Sequence, residues 1–378
     1  MIWKTIYFKC KNPLYLIGVI TMKKLNAAII GYGRSGCNIH GSFFKSEGND
    51  IVNVVAVVEL DEKRAAAAKA DFGCDTYSDY KELFARKDID LVVNASYSDM
   101  HYAISLDLLN HGFNVLCEKP VAKKAEQVQE LADAAKKNGV VFTIYQQSGL
   151  ASYFLKIQEV IDSGVLGNIK LVRGRWSGFS RRYDWQTLIC RDAGAMRNTG
   201  PHPFEQAMRL AKTDDMPEKI YSRLEIYNSV GDAEDYVFAV LDYGEGKTKF
   251  EIEINPSDPY NDGYVYRVYG DRGALKSTMD NVEYKYYLEE ECPQPKLDMN
   301  SLHDENGAPC YCQDEIKWHE VKESFSDDVF NGAANAYYHK LYDHMVNGGE
   351  LYITPEHIKT EIAIFEEIER QNPLERKF

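Results

Sequence analysis

Asn26-Ala27-Ala28-Ile29-Ile30-Gly31-Tyr32-Gly33-Arg34-Ser35-Gly36 is the stretch that decides the fold. A short apolar run suited to a buried strand leads straight into glycines at Gly-x-Gly-x-x-Gly spacing, and a helical pattern follows over 35–47. A strand, a glycine turn and a helix in that order bring a helix N-terminus to bear on a phosphate group. Gly31 permits the tight turn, Gly33 lets the backbone approach a pyrophosphate, and Gly36 lets helix and strand pack closely.

Further along, apolar runs at 52–58, 91–93, 115–117 and 140–145 alternate with helical patterns at 61–72, 99–111 and 123–138. Such alternation implies a parallel sheet covered by helices on both faces, and right-handed crossovers make it a doubly wound Rossmann sheet. Glu59 ends the second run, where a carboxylate accepts hydrogen bonds from adenosine ribose hydroxyls and repels a 2′-phosphate. The expected cofactor is therefore NAD, with NADP the lesser alternative, because Arg34 inside the turn and Arg64 beyond it can each pair with a phosphate. Ser35 shares the turn, and Asn94, Ser96 and His101 follow a strand's C-terminal end, beside the cofactor in this architecture. His101 has an equal alternative as a plain first-turn residue behind an Asp99 cap.

After Gln147 the rhythm changes. A helix at about 150–163 precedes runs rich in β-branched and aromatic residues at about 169–178, 219–229, 234–243, 247–254, 264–270 and 282–288, with a further helix at about 192–211. Short glycine-containing turns suit antiparallel strands, so the expectation is an α+β domain over 148–378 with a large, mainly antiparallel open sheet, behind a dinucleotide-binding domain over 25–147. The stretch 291–315 reads as a loop, and two last helices span 331–347 and 355–370, the second starting from the cap Thr354 and Pro355.

Residues 1–24 stand apart. Lys4, Lys9 and Lys11 precede an apolar run, Leu14 to Ile20, in the order of a signal peptide, yet the run is too short for a membrane span and no small-x-small site follows it before Leu25. It reads as an overextended start or a poorly ordered arm, with export as the alternative.

Across the whole chain Lys plus Arg number 44 and Asp plus Glu 58, a net charge of −14 at pH 7 that disfavours nucleic acid and anionic membranes and leaves a small molecule as the expected partner. The 8 cysteines form no C-x-x-C pair, which fits a reducing, cytoplasmic setting. Cys310 and Cys312, with His303 and His319 nearby, match no zinc spacing, so no metal is expected.

Glu118-Lys119-Pro120 leaves the apolar run Val115-Leu116-Cys117, where such sheets place their chemistry. Proline fixes the backbone beside Lys119, whose amine can project into the crevice and stabilise a developing alkoxide; a surface lysine on a turn is the bland alternative. Asn198-Thr199-Gly200-Pro201-His202 supplies an imidazole on the approach to a helix, the usual base for a hydroxyl proton, or else a plain helix cap. Between them lies Arg182-Tyr183-Asp184-Trp185, a polar and aromatic cluster suited to sugar rings and hydroxyls, or an exposed loop held by an Arg-Asp pair.

Together, Gly31-x-Gly33-x-x-Gly36, Glu59, His101, Glu118-Lys119-Pro120 and Asn198-x-Gly200-x-His202 resemble the Gfo/Idh/MocA family of NAD(P)-dependent oxidoreductases over about 25–370. The resemblance implies hydride transfer between NAD(P) and a secondary alcohol or ketone of a sugar, inositol or related polyol, and a homodimer or homotetramer formed through the C-terminal sheet. It implies that the lysine of the family's E-K-P motif and the histidine of its D-x-G-x-H motif flank the reacting carbinol, positions matched by Lys119 and His202. Glu118 and Lys119 would also border the cofactor. Asn198 replaces the family's aspartate, which should leave Lys119 easier to deprotonate and His202 as the sole base. A second departure, Gln146-Gln147-Ser148-Gly149, makes Gln147 a candidate substrate contact and a charged substrate harder to assume. Two alternatives stay open: a redox-neutral, NAD-dependent sugar-processing enzyme such as a glycosidase, and a non-catalytic NAD-binding sensor.

Overall fold

The computed structural model describes residues 23–378 apart from 298, 300, 301, 305, 312, 327 and 328. The extension read from 1–24 thus lies, for residues 1–22, outside the described residues, as does Cys312.

Six short strands form the first sheet: β1 (Leu25–Ile30), β2 (Val52–Val58), β3 (Asp75–Tyr77), β4 (Leu91–Asn94), β5 (Val115–Cys117) and β6 (Phe142–Ile144). All pair in parallel, in the order β3-β2-β1-β4-β5-β6. Chain order reverses between β1 and β4, and that reversal opens the crevice in which such sheets bind ligands. Ala27, Ala28 and Ile29 are fully buried, as a central strand with helices on both faces requires. The flanking helices end where local chemistry stops them. Asp61 caps helix Glu62–Phe72 by accepting from the Lys63 and Arg64 amides, and Gly73 closes it at φ +66°.

The second sheet has eight strands: β7 (Ile169–Ser177), β8 (Lys219–Glu225), β9 (Tyr236–Asp242), β10 (Lys249–Asn255), β11 (Tyr266–Gly270), β12 (Gly273–Ser277), β13 (Asn281–Tyr286) and β14 (His319–Ser324). Their order is β14-β13-β12-β11-β7-β10-β9-β8, antiparallel except where β10 runs parallel to β7. The fold is the expected α/β one, a parallel Rossmann sheet followed by an α+β half with a large, mainly antiparallel sheet. Alternate residues of β9 and β10 are buried, so one face carries the core and the other is left more open.

Three strands escaped the sequence reading. β3 is too short for periodicity to register, β12 turns straight back from β11, and β14 follows the stretch taken for a loop. The helix expected over about 192–211 is two pieces, Ala195–Asn198 and Pro201–Ala211, because Gly194 sits at φ +121° and Pro201 can only begin a helix.

Helix Pro355–Gln371 starts as its sequence indicates, Thr354 accepting from the His357 amide at 3.2 Å. It packs against both helix Ala125–Asn138 and β8, tying the two sheets together. Beside it Arg197, only 2% exposed, donates to Glu369 and to the carbonyls of Ala122 and Lys123. The segment carrying Asn198 is thereby pinned to the loop that follows Lys119.

Candidate active site

The glycine turn has the shape its spacing implies. Gly31 adopts φ +85°, and a Cβ there would lie 2.5 Å from the Ala95 carbonyl oxygen. A Cβ on Gly36 would collide with the Gly31 carbonyl, whereas one on Gly33 meets nothing within 4 Å. Two glycines are therefore required by the turn itself, and the third faces open space that a dinucleotide phosphate fits. Ser35 makes no side-chain capping bond, and Arg34 is exposed with no hydrogen-bond or ion-pair partner among the described residues.

Glu59 closes the turn from below. One carboxylate oxygen accepts from the Tyr32 amide at 2.8 Å; the other accepts from the Asp61 amide and from Arg64, both at 2.9 Å. Burial by itself raises this carboxyl, but the two amides and Arg64 bring it below its ordinary value. Glu59 is thus a charged strut for the turn, and Arg64 is already engaged by it.

The residues after β4 hold one another. Fully buried Asn94 donates to the His101 carbonyl and to Ser105 and accepts from the Ser96 hydroxyl at 2.7 Å. His101 spans two loops, with Nδ1 2.7 Å from the Pro120 carbonyl oxygen and Nε2 3.1 Å from that of Ser96. Its ring braces the back of the Lys119-Pro120 turn.

Glu118 is 3% exposed, with an oxygen 3.1 Å from Nε2 of fully buried His40. That distance allows a strong charge interaction without the angle of a linear hydrogen bond. His40 Nδ1 lies 2.6 Å from the Tyr338 hydroxyl. Burial pushes the Glu118 carboxyl up, but His40, with Lys119 and His101 adding to it, holds it at about 2. Glu118 is therefore a fixed negative charge directly before Lys119.

The Lys119 amine donates to the backbone carbonyl of Asn198 at 2.7 Å. Burial lowers its pKa from the ordinary value; Glu118 opposes this, and the guanidiniums of Arg34 and Arg182 add to it. The lysine therefore points inward, between the glycine turn and the second half of the chain. The Asn198 side chain does not meet it. Its amide donates to the Gln186 carbonyl at 3.0 Å, and its buried Oδ1 has no protein partner. The lowering thus owes most to burial, where the sequence reading had rested on the missing aspartate.

His202 stacks on Trp176, ring centroids 5.5 Å apart, with Nδ1 3.0 Å from the Ser148 hydroxyl. Burial, then the positive charge of Lys119, pushes the imidazole down to about 3 despite Glu118, so the ring is neutral at physiological pH. When Nδ1–H donates to Ser148, the lone pair on Nε2 is left for a proton. Ser148 and Trp176 were not singled out from the sequence; the only signal was the unusual Gln-Gln-Ser-Gly run. Gln147 stands in the same turn, with its buried Oε1 unpartnered.

A cavity of about 640 Å³ adjoins this pair, lined in part by Trp176, Arg182, Gln186, Asn198 and Glu234. Neither Lys119 nor His202 lines it; it meets them through Asn198 and Trp176. Arg182 faces this cavity while paired to Asp184 at 2.8 Å, and Asp184 caps the turn Trp185–Thr187. Trp185 packs edge-on against Tyr97, and Arg191 bonds Asp99 at 3.0 Å, so this loop closes onto the residues after β4. Of the expected substrate wall, Arg182 reaches the cavity, whereas Asp184 and Trp185 hold the loop in place. Glu234, invisible to the sequence reading, is 7% exposed, and burial pushes its carboxyl up to about 7.

Among the described residues no group of three or more His, Cys, Asp or Glu is placed to hold a metal, His319 pairs with Glu291, and no helix is long and apolar enough to cross a membrane.

The chain matches two family models. Residues 25–146 match an oxidoreductase family with an NAD-binding Rossmann fold, and residues 154–276 match the GFO/IDH/MocA C-terminal domain. It is 29% identical over 244 residues to the uncharacterized oxidoreductase C26H5.09c of Schizosaccharomyces pombe, a match spanning 62% of this chain and 64% of that relative's length. It is 24% identical to scyllo-inositol 2-dehydrogenase (NADP(+)) IolW of Bacillus subtilis, over 68% of this chain and 70% of the relative. Its fold superposes with a TM-score of 0.72 on the WlbA dehydrogenase of Bordetella pertussis, solved with NADH and UDP-GlcNAcA, at 18% identity and with 93% and 96% of the two chains covered. With both halves matched in order, this chain belongs to the Gfo/Idh/MocA family of oxidoreductases.

Proposed function

We propose that the protein is an NAD-dependent dehydrogenase or reductase acting on a secondary alcohol or ketone of a sugar, inositol or related polyol. The observation that carries this reading is the convergence of an inward-facing lysine, fixed on the Asn198 carbonyl, with a neutral histidine that feels its charge, beside the glycine turn.

The cofactor, when bound, accepts or supplies the hydride. Gly31, Gly33 and Gly36, with Arg34 and Ser35, would hold its pyrophosphate, and Glu59 its adenosine ribose. Support for NAD comes from the low pKa of Glu59, which keeps a negative charge where a 2′-phosphate would sit. In the oxidative direction His202 takes the hydroxyl proton on Nε2 while Ser148 fixes the other nitrogen. Lys119 donates to the same oxygen and stabilises the alkoxide, and Glu118 keeps that amine charged against its burial. Burial and Lys119 both disfavour a lasting imidazolium, so the proton would pass onward from the ring.

The resemblance supports assembly through the open face of the second sheet, and the free thiols of Cys37, Cys74, Cys117, Cys190, Cys292 and Cys310 support a reducing cytoplasm. The test is hydride transfer across a panel of sugars and polyols with NAD and with NADP. Lys119→Ala and His202→Ala should each lower kcat by about 10²–10⁴ with NAD binding nearly intact. A wild-type protein that binds NAD and turns over no member of the panel would instead favour a sensor. Activity that needs no added NAD, with cofactor retained through purification, would favour the redox-neutral reading.

A further inference from the structure

The cavity of about 640 Å³ is space beyond the reacting centre, because neither Lys119 nor His202 lines it. If the reacting ring lies between those two side chains, as proposed above, the cavity is left for the rest of the substrate. It is as large as the sites of about 300–1,000 Å³ that enclose whole drug-sized ligands, so a lone pyranose or cyclitol at the lysine and histidine would leave it unused.

Its chemistry narrows the occupant. Asn198, 8% exposed, lines this cavity; its buried Oδ1 has no protein partner, while its amide is committed to the Gln186 carbonyl. Glu234 accepts from the Met196 amide at 3.0 Å and lines the same cavity. The Glu234 carboxylate packs against Gly194, where a Cβ would collide with it. The Asn198 acceptor therefore waits for a donor, and an unmet buried acceptor costs about 1–3 kcal/mol. The charge is not that of a phosphate site. The lining holds Glu234, Asp235 and Asp280 against Arg175 and Arg182, and these two arginines are paired with Asp258 and Asp184. At the rim Phe179 is 60% exposed, yet its backbone is fixed by a bridge to Ser257, so an aromatic face is held open for a ring.

We infer that the substrate carries a neutral, hydroxyl-rich second ring in glycosidic linkage to the ring that reacts, its hydroxyls donating to Asn198 Oδ1 and to Glu234. This rests on the polyol dehydrogenase reading and deepens it: Glu234, Asn198 and Phe179 set specificity without touching the transferred hydride.

The test is calorimetric binding to the NAD-loaded protein, with NAD reduction followed in parallel. Maltose, cellobiose, lactose and galactinol are compared with glucose, galactose and myo-inositol, and UDP-glucose is the charged control. At least one two-ring compound should bind roughly 100-fold more tightly than its free ring, as two or three added hydrogen bonds would give. Glu234→Gln and Phe179→Ala, checked for unchanged thermal midpoint and NAD affinity, should each weaken that compound about tenfold or more and leave the free ring unaffected. The inference falls if no two-ring compound outbinds its free ring, or if UDP-glucose outbinds them all. Tight binding of a two-ring compound without NAD reduction would uphold the site and overturn the dehydrogenase reading instead; oxidation of free rings with no preference would do the reverse.

Discussion

The amine of Lys119 is held at 2.7 Å by the backbone carbonyl of Asn198, and the side chain of Asn198 turns away to donate to the Gln186 carbonyl. The residue that departs from the family pattern thus positions the lysine through an atom every amino acid possesses. Its side chain fastens the loop that carries Gln186 instead.

Asn198→Asp should accordingly act first on stability. A carboxylate in that buried place faces the Gln186 carbonyl with nothing to donate, at a cost of about 1–3 kcal/mol. Burial raises such a carboxyl in the folded state, so the unfolded state releases its proton first and stability falls as pH rises through the two values. Denaturant midpoints measured from acid to neutral pH should show the gap to wild type widening. A constant gap would mean the aspartate finds a donor.

Ser148→Ala removes the partner of His202 Nδ1 and leaves the ring free to hold its proton on Nε2. Loss of one neutral hydrogen bond, ~1 kcal/mol, predicts a roughly fivefold fall in kcat with KM little changed. Ser148→Thr should restore most of it. Steady-state kinetics on the best substrate of the panel decide this, and an equal loss in both variants would point to packing alone.

The three glycines of the turn should separate. Gly31→Ala forces a positive φ on a residue with a Cβ and presses it on Ala95, and Gly36→Ala drives it into Gly31. Each should cost ~2 kcal/mol or more in thermal unfolding. Gly33→Ala has room, so its melting temperature should stay near wild type while NAD binds about tenfold more weakly, ~1.4 kcal/mol, because the methyl occupies the phosphate's approach.

Glu118 gives a pH signature. Its carboxyl falls from 4.5 to about 2 on folding, so the stability it contributes is fully present above 4.5 and is lost as pH falls toward 2. At ~1.4 kcal/mol per pKa unit, the loss is at most a few kcal/mol. Glu118→Gln should be less stable than wild type at neutral pH, and urea midpoints should show that deficit shrinking on acidification. A deficit independent of pH would show that its charge contributes nothing to folding.

The sequence by itself marked five of the six strands of the parallel sheet, its strand-turn-helix opening and the late helix capped by Thr354, because periodicity, glycine spacing and proline position act between neighbours in the chain. It also marked Lys119 and His202, which the fold brings close enough for one to shift the other's proton affinity. What only the tertiary structure decided are partnerships across long separations: Lys119 with the Asn198 carbonyl, His202 with Ser148 and Trp176, Glu118 with His40, and Glu234 with the Met196 amide at the cavity wall. No local pattern encodes which atom of Asn198 meets the lysine. That depends on how Arg197 and the helix Pro355–Gln371 lock the two sheets together, since burial and hydrogen-bond geometry become properties of a residue only after distant segments have packed around it.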